Sequence, residues 1–151
     1  MTMKISRTGN TLFISGIIDE NADLSSLLQE QAPLSIDFSG VTRINSVGLR
    51  TWMRFMTLWG DKPLNYLECP ISVTDQIIII PALRGIKKQV ATVVSGVLPY
   101  DCPSCRYQAD IRVERSKVVP KTDPAVEHPK CPACSKVMDL VNPDQLEIFK
   151  P

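Results

Sequence analysis

Residues 35–59, SIDFSGVTRINSVGLRTWMRFMTLW, change their hydrophobic period part-way along. Ile36 and Phe38 flank Asp37 as in a short buried strand, and a polar, glycine-containing link follows. Apolar residues then recur at helical spacing: Leu49, Trp52, Met53, Met56 and Trp59. The stretch therefore predicts a strand over 34–38, a loop, and a helix over about 46–59. Ser46 directly precedes the apolar period, where we expect the N-cap of the helix.

The residues around the strand and the helix start resemble the signature of the STAS domain (sulfate transporter and anti-sigma-factor antagonist). The resemblance is carried by Asp37, Ser39, Asn45, Ser46 and Gly48. It implies an α/β (α+β) fold over residues 1–98, a mixed β-sheet with helices mainly on one face. The serine of the family's polar pair is the phosphorylation site in bacterial partner switching, and Ser46 occupies that position. Asn45 replaces the usual aspartate.

The remaining segments of 1–98 predict an alternation of strands and helices. Strands over 4–8 and 11–17 are joined by Gly9-Asn10, a hairpin signal. A short helix over 22–29, a strand over 63–67 and a strand over 90–98 complete the pattern. The isoleucine-rich run after Pro70 has the β-branched composition of a strand. The element order that the STAS resemblance implies favours a helix there, ending by Pro81, and we predict a helix.

Two Cys-x-x-Cys pairs are the strongest chemical signal in the sequence. Cys102-Pro-Ser-Cys105 and Cys131-Pro-Ala-Cys134 are separated by residues 106–130, slightly more than the usual spacing of about 15–20. Each pair places two thiolates on one turn, and two such turns complete a tetrahedral Zn²⁺ site with no open position. The pairs resemble the knuckles of a zinc ribbon, although Arg106 and Ser135 stand where ribbons often have glycine.

We predict a zinc-ribbon-like domain over residues 99–151, small and β-rich, with strands flanking the knuckles and a metal supplying much of its folding free energy. Iron at the same four sulfurs and a pair of redox dithiols are the alternatives. The only histidine, His128, is expected to be a loop residue because four cysteines already saturate the ion. Residues 116–130 predict an exposed loop.

The composition limits the class of protein. The chain has 151 residues with a formal net charge of +1, and it is 44% apolar and 22% charged, as in ordinary globular proteins. This balance does not favour nucleic-acid binding. No apolar run is long enough to span a membrane, and the N-terminal residues lack a signal-peptide core. We therefore expect a cytoplasmic protein with reduced or metal-bound cysteines.

No catalytic constellation is recognisable, and we expect no enzyme activity. The single histidine removes most nucleophile–histidine schemes, and the glycines form no phosphate-binding loop. The STAS resemblance implies a bacterial signalling or adaptor protein that binds a protein partner, possible partners being an anti-sigma factor or its kinase. It places the contacts at Asn45, Ser46, Val47, Arg50 and Arg54. Self-association as a homodimer stays open.

Two other functions also stay open at this point. The ribbon could bind nucleic acid through a stripe of basic residues: Arg106, Arg112, Arg115, Lys117 and Lys121. Acidic residues in the same neighbourhood argue against this reading. The four cysteines could also serve a redox or metal-transfer function.

Overall fold

A computed structural model describes residues 2–118 and 128–150. The strands are β1 (Lys4–Thr8), β2 (Thr11–Ile18), β3 (Leu34–Ile44), β4 (Leu64–Leu67), β5 (Ala91–Val93), β6 (Ser95–Asp101), β7 (Gln108–Glu114) and β8 (Asp139–Leu140). The α-helices are α1 (Ser46–Trp59), α2 (Ile71–Ile79) and the single turn α3 (Arg115–Val118). Short 3₁₀ helices span Ser25–Gln29, Pro81–Arg84 and Pro143–Phe149.

A mixed five-stranded sheet is built from the first five strands in the order β1-β2-β3-β4-β5. The β1–β2 hairpin is antiparallel, whereas β2, β3, β4 and β5 are parallel neighbours. Each parallel step is bridged by helical structure, as parallel strands require. The predicted mixed α+β class is therefore confirmed. Within residues 2–118 and 128–150, no helix has the length and apolar character that crossing a membrane would require.

A second, antiparallel sheet of three strands has the order β7-β6-β8. Its central strand β6 begins two residues after β5, so the predicted single strand over 90–98 is wrong. Val94, which is partly exposed, separates the strands of the two sheets. The predicted domain boundary after Leu98 falls inside β6, which pairs with β7 along its whole length. The division into two domains stays a prediction.

Helix α1 covers the first sheet with large aromatic side chains. The Trp52 ring lies 5.2 Å from the Phe38 ring and 5.6 Å from the Tyr66 ring, measured between centroids. Trp52 Nε1 donates to the Tyr66 hydroxyl, which itself donates to the carbonyl of Leu83 at 2.7 Å. Phe55, which the predicted apolar stripe omitted, is buried as well. The polar tips of these rings are thus paired, as burial requires.

Helix α2 forms where local propensity favours a strand. Val73 and Ile77 are buried on one side of it, and the Thr74 hydroxyl donates to the carbonyl of Val97 in β6 at 2.9 Å. Packing against two sheets outweighs the modest cost of β-branched residues in a helix. The predicted helix after Pro70 is confirmed. The predicted helix over 22–29 is shorter, a 3₁₀ helix over Ser25–Gln29.

Candidate functional site

The four cysteines of the two pairs meet at one point in the structure. The Sγ atoms of Cys102, Cys105, Cys131 and Cys134 all lie within 4.8 Å of one another. The thiols of the two pairs contact each other: Cys102 Sγ lies 3.5 Å from Cys134 Sγ, and Cys105 Sγ lies 3.6 Å from Cys131 Sγ. The thiols are therefore one cluster of four rather than two separate dithiols.

The spacing of the sulfurs suits a tetrahedral metal ion. Four sulfurs at about 2.3 Å from a zinc ion lie about 3.8 Å apart, close to the shortest contacts here. These distances are far longer than a disulfide bond of about 2.05 Å, and all five cysteines are free thiols. The cluster could therefore hold a metal ion through four soft ligands.

The two knuckles that carry the thiols have the same backbone geometry. Arg106 N–H donates to the carbonyl of Cys102, and Ser135 N–H donates to the carbonyl of Cys131, both at 2.8 Å. Arg106 and Ser135 adopt left-handed conformations, with φ of 63° and 64°. Glycine would adopt this positive φ without steric cost, whereas arginine and serine do not.

The electrostatics of the first knuckle favour the thiolate form of one ligand. Backbone N–H groups of Cys105 and Ser104 point at the Cys102 sulfur and lower its pKa to about 7. A thiolate is the form that binds metal. Cys102 and Cys131 are buried, Cys134 is half-buried and Cys105 is exposed. One side of the cluster therefore faces solvent.

The start of α1 differs from its prediction. The N-cap is Asn45, not Ser46: the Asn45 side-chain oxygen accepts from the N–H of Gly48 at 2.8 Å. Asn45 also donates from Nδ2 to the carboxylate of Glu20 at 2.9 Å. Asparagine and serine are N-caps of similar strength, so composition could not decide between them. The contact with Glu20 has no local sequence signal.

Gly48 lets the first turn of α1 rest directly on the end of β2. A Cβ atom at Gly48 would lie 2.0 Å from the carbonyl oxygen of Ile18. The Asn45 N–H donates to that same oxygen at 3.1 Å. Glycine is thus required here for the close approach of two backbones.

The predicted partner-binding residues share the first turns of α1. Ser46, Arg50 and Arg54 are exposed, and Val47 is half-buried. The helix carries no acidic residue, and among the described residues neither arginine forms an ion pair. Among the five predicted partner contacts, Asn45 is the only one whose side chain forms hydrogen bonds with other described residues. The rest of the set forms an accessible, basic helix surface.

Two members of the predicted basic stripe are used inside the protein. Arg112 forms ion pairs with Glu68 and Glu114, and Arg115 donates from Nε to the carbonyl of Phe149 at 2.8 Å. Arg106 and Lys117 are exposed, and Lys121 lies outside the described residues. The structure therefore does not present these residues as a stripe of free cations, and it adds no support for a nucleic-acid interface.

Comparison with protein-family models, with curated proteins and with solved structures finds no match to this chain.

Proposed function

We propose that the chain is a non-enzymatic bacterial signalling or adaptor protein, acting in the cytoplasm, that binds a protein partner through the surface around the start of α1. We further propose that the four cysteines of the same chain form a structural zinc ribbon. The STAS-like signature and the sheet order support the first part of the proposal. The four-thiol cluster supports the second.

The observation that carries the proposal is the exposure of Ser46 in the first turn of α1. Asn45 performs the capping, so among the described contacts the Ser46 hydroxyl has no structural task. A phosphate on Ser46 would lie at the positive end of the helix dipole, beside unpaired N–H groups. Arg50, one turn further along and without an ion-pair partner among the described residues, offers a second source of stabilisation.

Phosphorylation would change the surface in a definite direction. It adds about two negative charges to a basic helix face and so weakens a partner that fits the neutral serine. The affinity for a partner with acidic groups facing Arg50 and Arg54 would fall most, because the phosphate and these acidic groups have the same sign of charge. The proposal therefore predicts a switch in which the unmodified protein binds and the phosphoprotein releases.

The test mixes the protein with a candidate anti-sigma kinase and ATP and maps phosphate by mass spectrometry. Binding is then compared for Ser46→Ala and Ser46→Asp, with Ser116→Asp as the matched control on another exposed serine in the first turn of a helix. We expect phosphate on Ser46, binding by the alanine variant and release by Ser46→Asp alone. Absence of phosphate, with equal binding by both Ser46 variants, would remove the switch and leave only an adaptor function.

The zinc assignment is supported by the donor set. Four thiols without a carboxylate or imidazole are typical of structural zinc, in which no coordination position is left for substrate. The gathering of all four thiols within 4.8 Å of one another argues against two independent redox dithiols. Thiol titration with and without chelator separates these functions. With structural zinc, the four thiols should react slowly with the reagent until the chelator removes the metal. Redox dithiols should react rapidly without chelator.

A further inference from the structure

An open groove lies between the 3₁₀ helix over Ser25–Gln29 and the second half of α1. It has a volume of about 330 Å³. Its lining is largely apolar: Leu24 and Phe55 are buried, and Leu28 is half-buried. Leu58 also lines the groove and is 59% exposed. An exposed leucine that continues into an apolar groove, unlike an isolated one, is typical of an association site.

Most polar groups that line the groove are bound within the protein. The Thr51 hydroxyl donates to the carbonyl of Val47 at 3.2 Å, and the Asp23 carboxylate accepts from the N–H of Ser25 at 2.9 Å. Arg54 lines the groove from α1, and within residues 2–118 and 128–150 its guanidinium forms no ion pair. Since Asp23 precedes the 3₁₀ helix, the anion and the cation belong to opposite walls. Acidic groups of a ligand would therefore lie over α1.

The groove opens onto a basic stripe along α1. Arg50, Arg54 and Leu58 recur at intervals of four residues and are all exposed, so they share one helix face about 12 Å long. The helix contains no acidic residue that could balance the two arginines. Like charges four residues apart destabilise a helix slightly, and an acidic ligand over this face would relieve their repulsion.

We propose that the groove and this stripe bind an amphipathic, acidic helix of the partner protein, with a leucine-sized side chain in the groove and carboxylates facing Arg54 and Arg50. The proposal rests on the function proposed above and specifies its partner. A helix matches the stripe because side chains on two helices packed at a small angle repeat at the same spacing. Opposite charge selects an acidic helix, and an apolar anchor in a pocket is the kind of contact that carries most of the affinity at such interfaces.

The first arm of the test measures binding of a synthetic helix to the full chain by fluorescence anisotropy. The probe is a blocked, labelled, alanine-rich peptide in which two leucines and two glutamates form one stripe at helical spacing. One control peptide has glutamines in place of the glutamates, and another has alanines in place of the leucines. We expect saturable binding of the probe and about tenfold weaker binding of each control. Absence of saturable binding, or equal binding of the probe and either control, would overturn the proposal.

Variants of the protein locate the site. Leu58→Ala and Arg54→Gln should each weaken binding of the probe about tenfold. The controls are Ile79→Ala, on an isoleucine that is 71% exposed, and Arg106→Gln, on an exposed arginine; both residues lie outside the groove and should leave binding unchanged. All four side chains are exposed, so the melting temperatures should stay close to that of the native chain. Equal binding of the probe by the groove variants and their controls would overturn the proposal.

Two further measurements separate this proposal from the function on which it rests. Sedimentation of the native chain should show a monomer, whereas a dimer that Leu58→Ala abolishes would make a second copy the occupant and overturn the proposal. In the binding assay with the candidate anti-sigma kinase, Leu58→Ala and Arg54→Gln should bind more weakly than the native chain. Native-like binding by both, together with release by Ser46→Asp, would overturn the groove and leave the proposed function intact. Weaker binding by both, with no effect of Ser46→Asp, would support the groove and remove the switch.

Discussion

Arg84 in the 3₁₀ helix after α2 donates from Nη1 to the main-chain carbonyl of Glu147 in the C-terminal helix at 3.1 Å. The same guanidinium donates to the side chain of Gln89 and to the carbonyl of Lys150. Arg84 is only 5% exposed. The Glu147 carbonyl also accepts from the Lys150 N–H at 3.1 Å. The buried Arg84 therefore adds a second, charged donor at the end of the C-terminal helix and ties that end to the 3₁₀ helix after α2.

Replacement of Arg84 by methionine, which keeps the length of the side chain but has no donors, should lower the free energy of unfolding by about 1–3 kcal/mol, because the hydrogen bonds from a charged donor to Glu147, Lys150 and Gln89 are lost. Arg50→Met, on the exposed face of α1, should change it by less than about 0.5 kcal/mol. Urea unfolding followed by circular dichroism measures both. Equal stability of the two variants would show that the C-terminal helix does not depend on Arg84.

The cap of α1 can be tested by two alanine substitutions at adjacent positions. Asn45→Ala removes both the hydrogen bond to the Gly48 N–H and the contact with Glu20, and should cost about 0.5–2 kcal/mol. Ser46→Ala should cost less than about 0.5 kcal/mol, because the serine does not cap the helix. Thermal unfolding compares the two. A larger loss of stability for Ser46→Ala than for Asn45→Ala would show that Ser46 caps the helix, and its hydroxyl would then not be free.

Because Arg106 and Ser135 adopt left-handed conformations in the knuckles, we expect glycine at either position to stabilise the protein. Arg106→Gly and Ser135→Gly should each raise the free energy of unfolding by about 0.5–1 kcal/mol, since positive φ costs an L-residue about 1–2 kcal/mol and glycine's greater unfolded-state entropy offsets part of this. Lys136→Gly, one residue beyond Ser135 and outside the positive-φ region, should be destabilising. The comparison is made by chemical unfolding with the metal content held constant. Destabilisation by all three variants would contradict the knuckle geometry.

The ion pair of Glu68 and Arg112 predicts a pH-dependent contribution to stability. Arg112 donates to both carboxylate oxygens of Glu68, at 2.7 and 2.5 Å, and these hydrogen bonds hold the Glu68 pKa below its ordinary value of 4.5. Because the folded-state pKa is depressed, the contribution is fully present above the unfolded-state pKa and is lost as the pH falls through the folded-state pKa. Both side chains are more than a third exposed, so we expect only about 0.5–1 kcal/mol at pH 7.

The measurement is a double-mutant cycle of Glu68→Gln and Arg112→Gln at several pH values. The coupling energy should be largest near neutral pH and fall towards zero in acid. A coupling that does not change with pH, or one that is absent at pH 7, would show that the pair contributes nothing through its charges.

Patterns that depend on local sequence predicted much of the fold. The helix over 46–59 and the hairpin at Gly9-Asn10 follow from periodicity and turn composition, and the structure has both. The gathering of the four cysteines was also predictable, because the spacing within each Cys-x-x-Cys pair already defines a knuckle. The helix, the hairpin and each knuckle need no information about distant parts of the chain, and the meeting of the two knuckles follows from the four ligands that one metal ion requires.

Features that depend on contacts between distant residues were not predictable. The choice of Asn45 over Ser46 as N-cap rests on Ile18 and Glu20, which precede it by more than twenty residues. The break at Val94 arises because the chain leaves one sheet for another, although the apolar run continues through it. The Tyr100 hydroxyl, which has no hydrogen-bond partner among the described residues, has no sequence signature, because only the packing of β6 against its surroundings buries it.

We claim that the four cysteines hold a metal ion, and the metal content of the purified chain, determined by inductively coupled plasma mass spectrometry, tests this. We expect about one zinc per chain for the native protein and for Cys69→Ala, because Cys69 is buried outside the cluster. Cys102→Ser and Cys131→Ser should lose the metal. A content of one iron per chain would support the four-cysteine metal site but show that the ion is iron rather than zinc. Native protein without any metal, or a metal content unchanged by Cys102→Ser and Cys131→Ser, would contradict the claim.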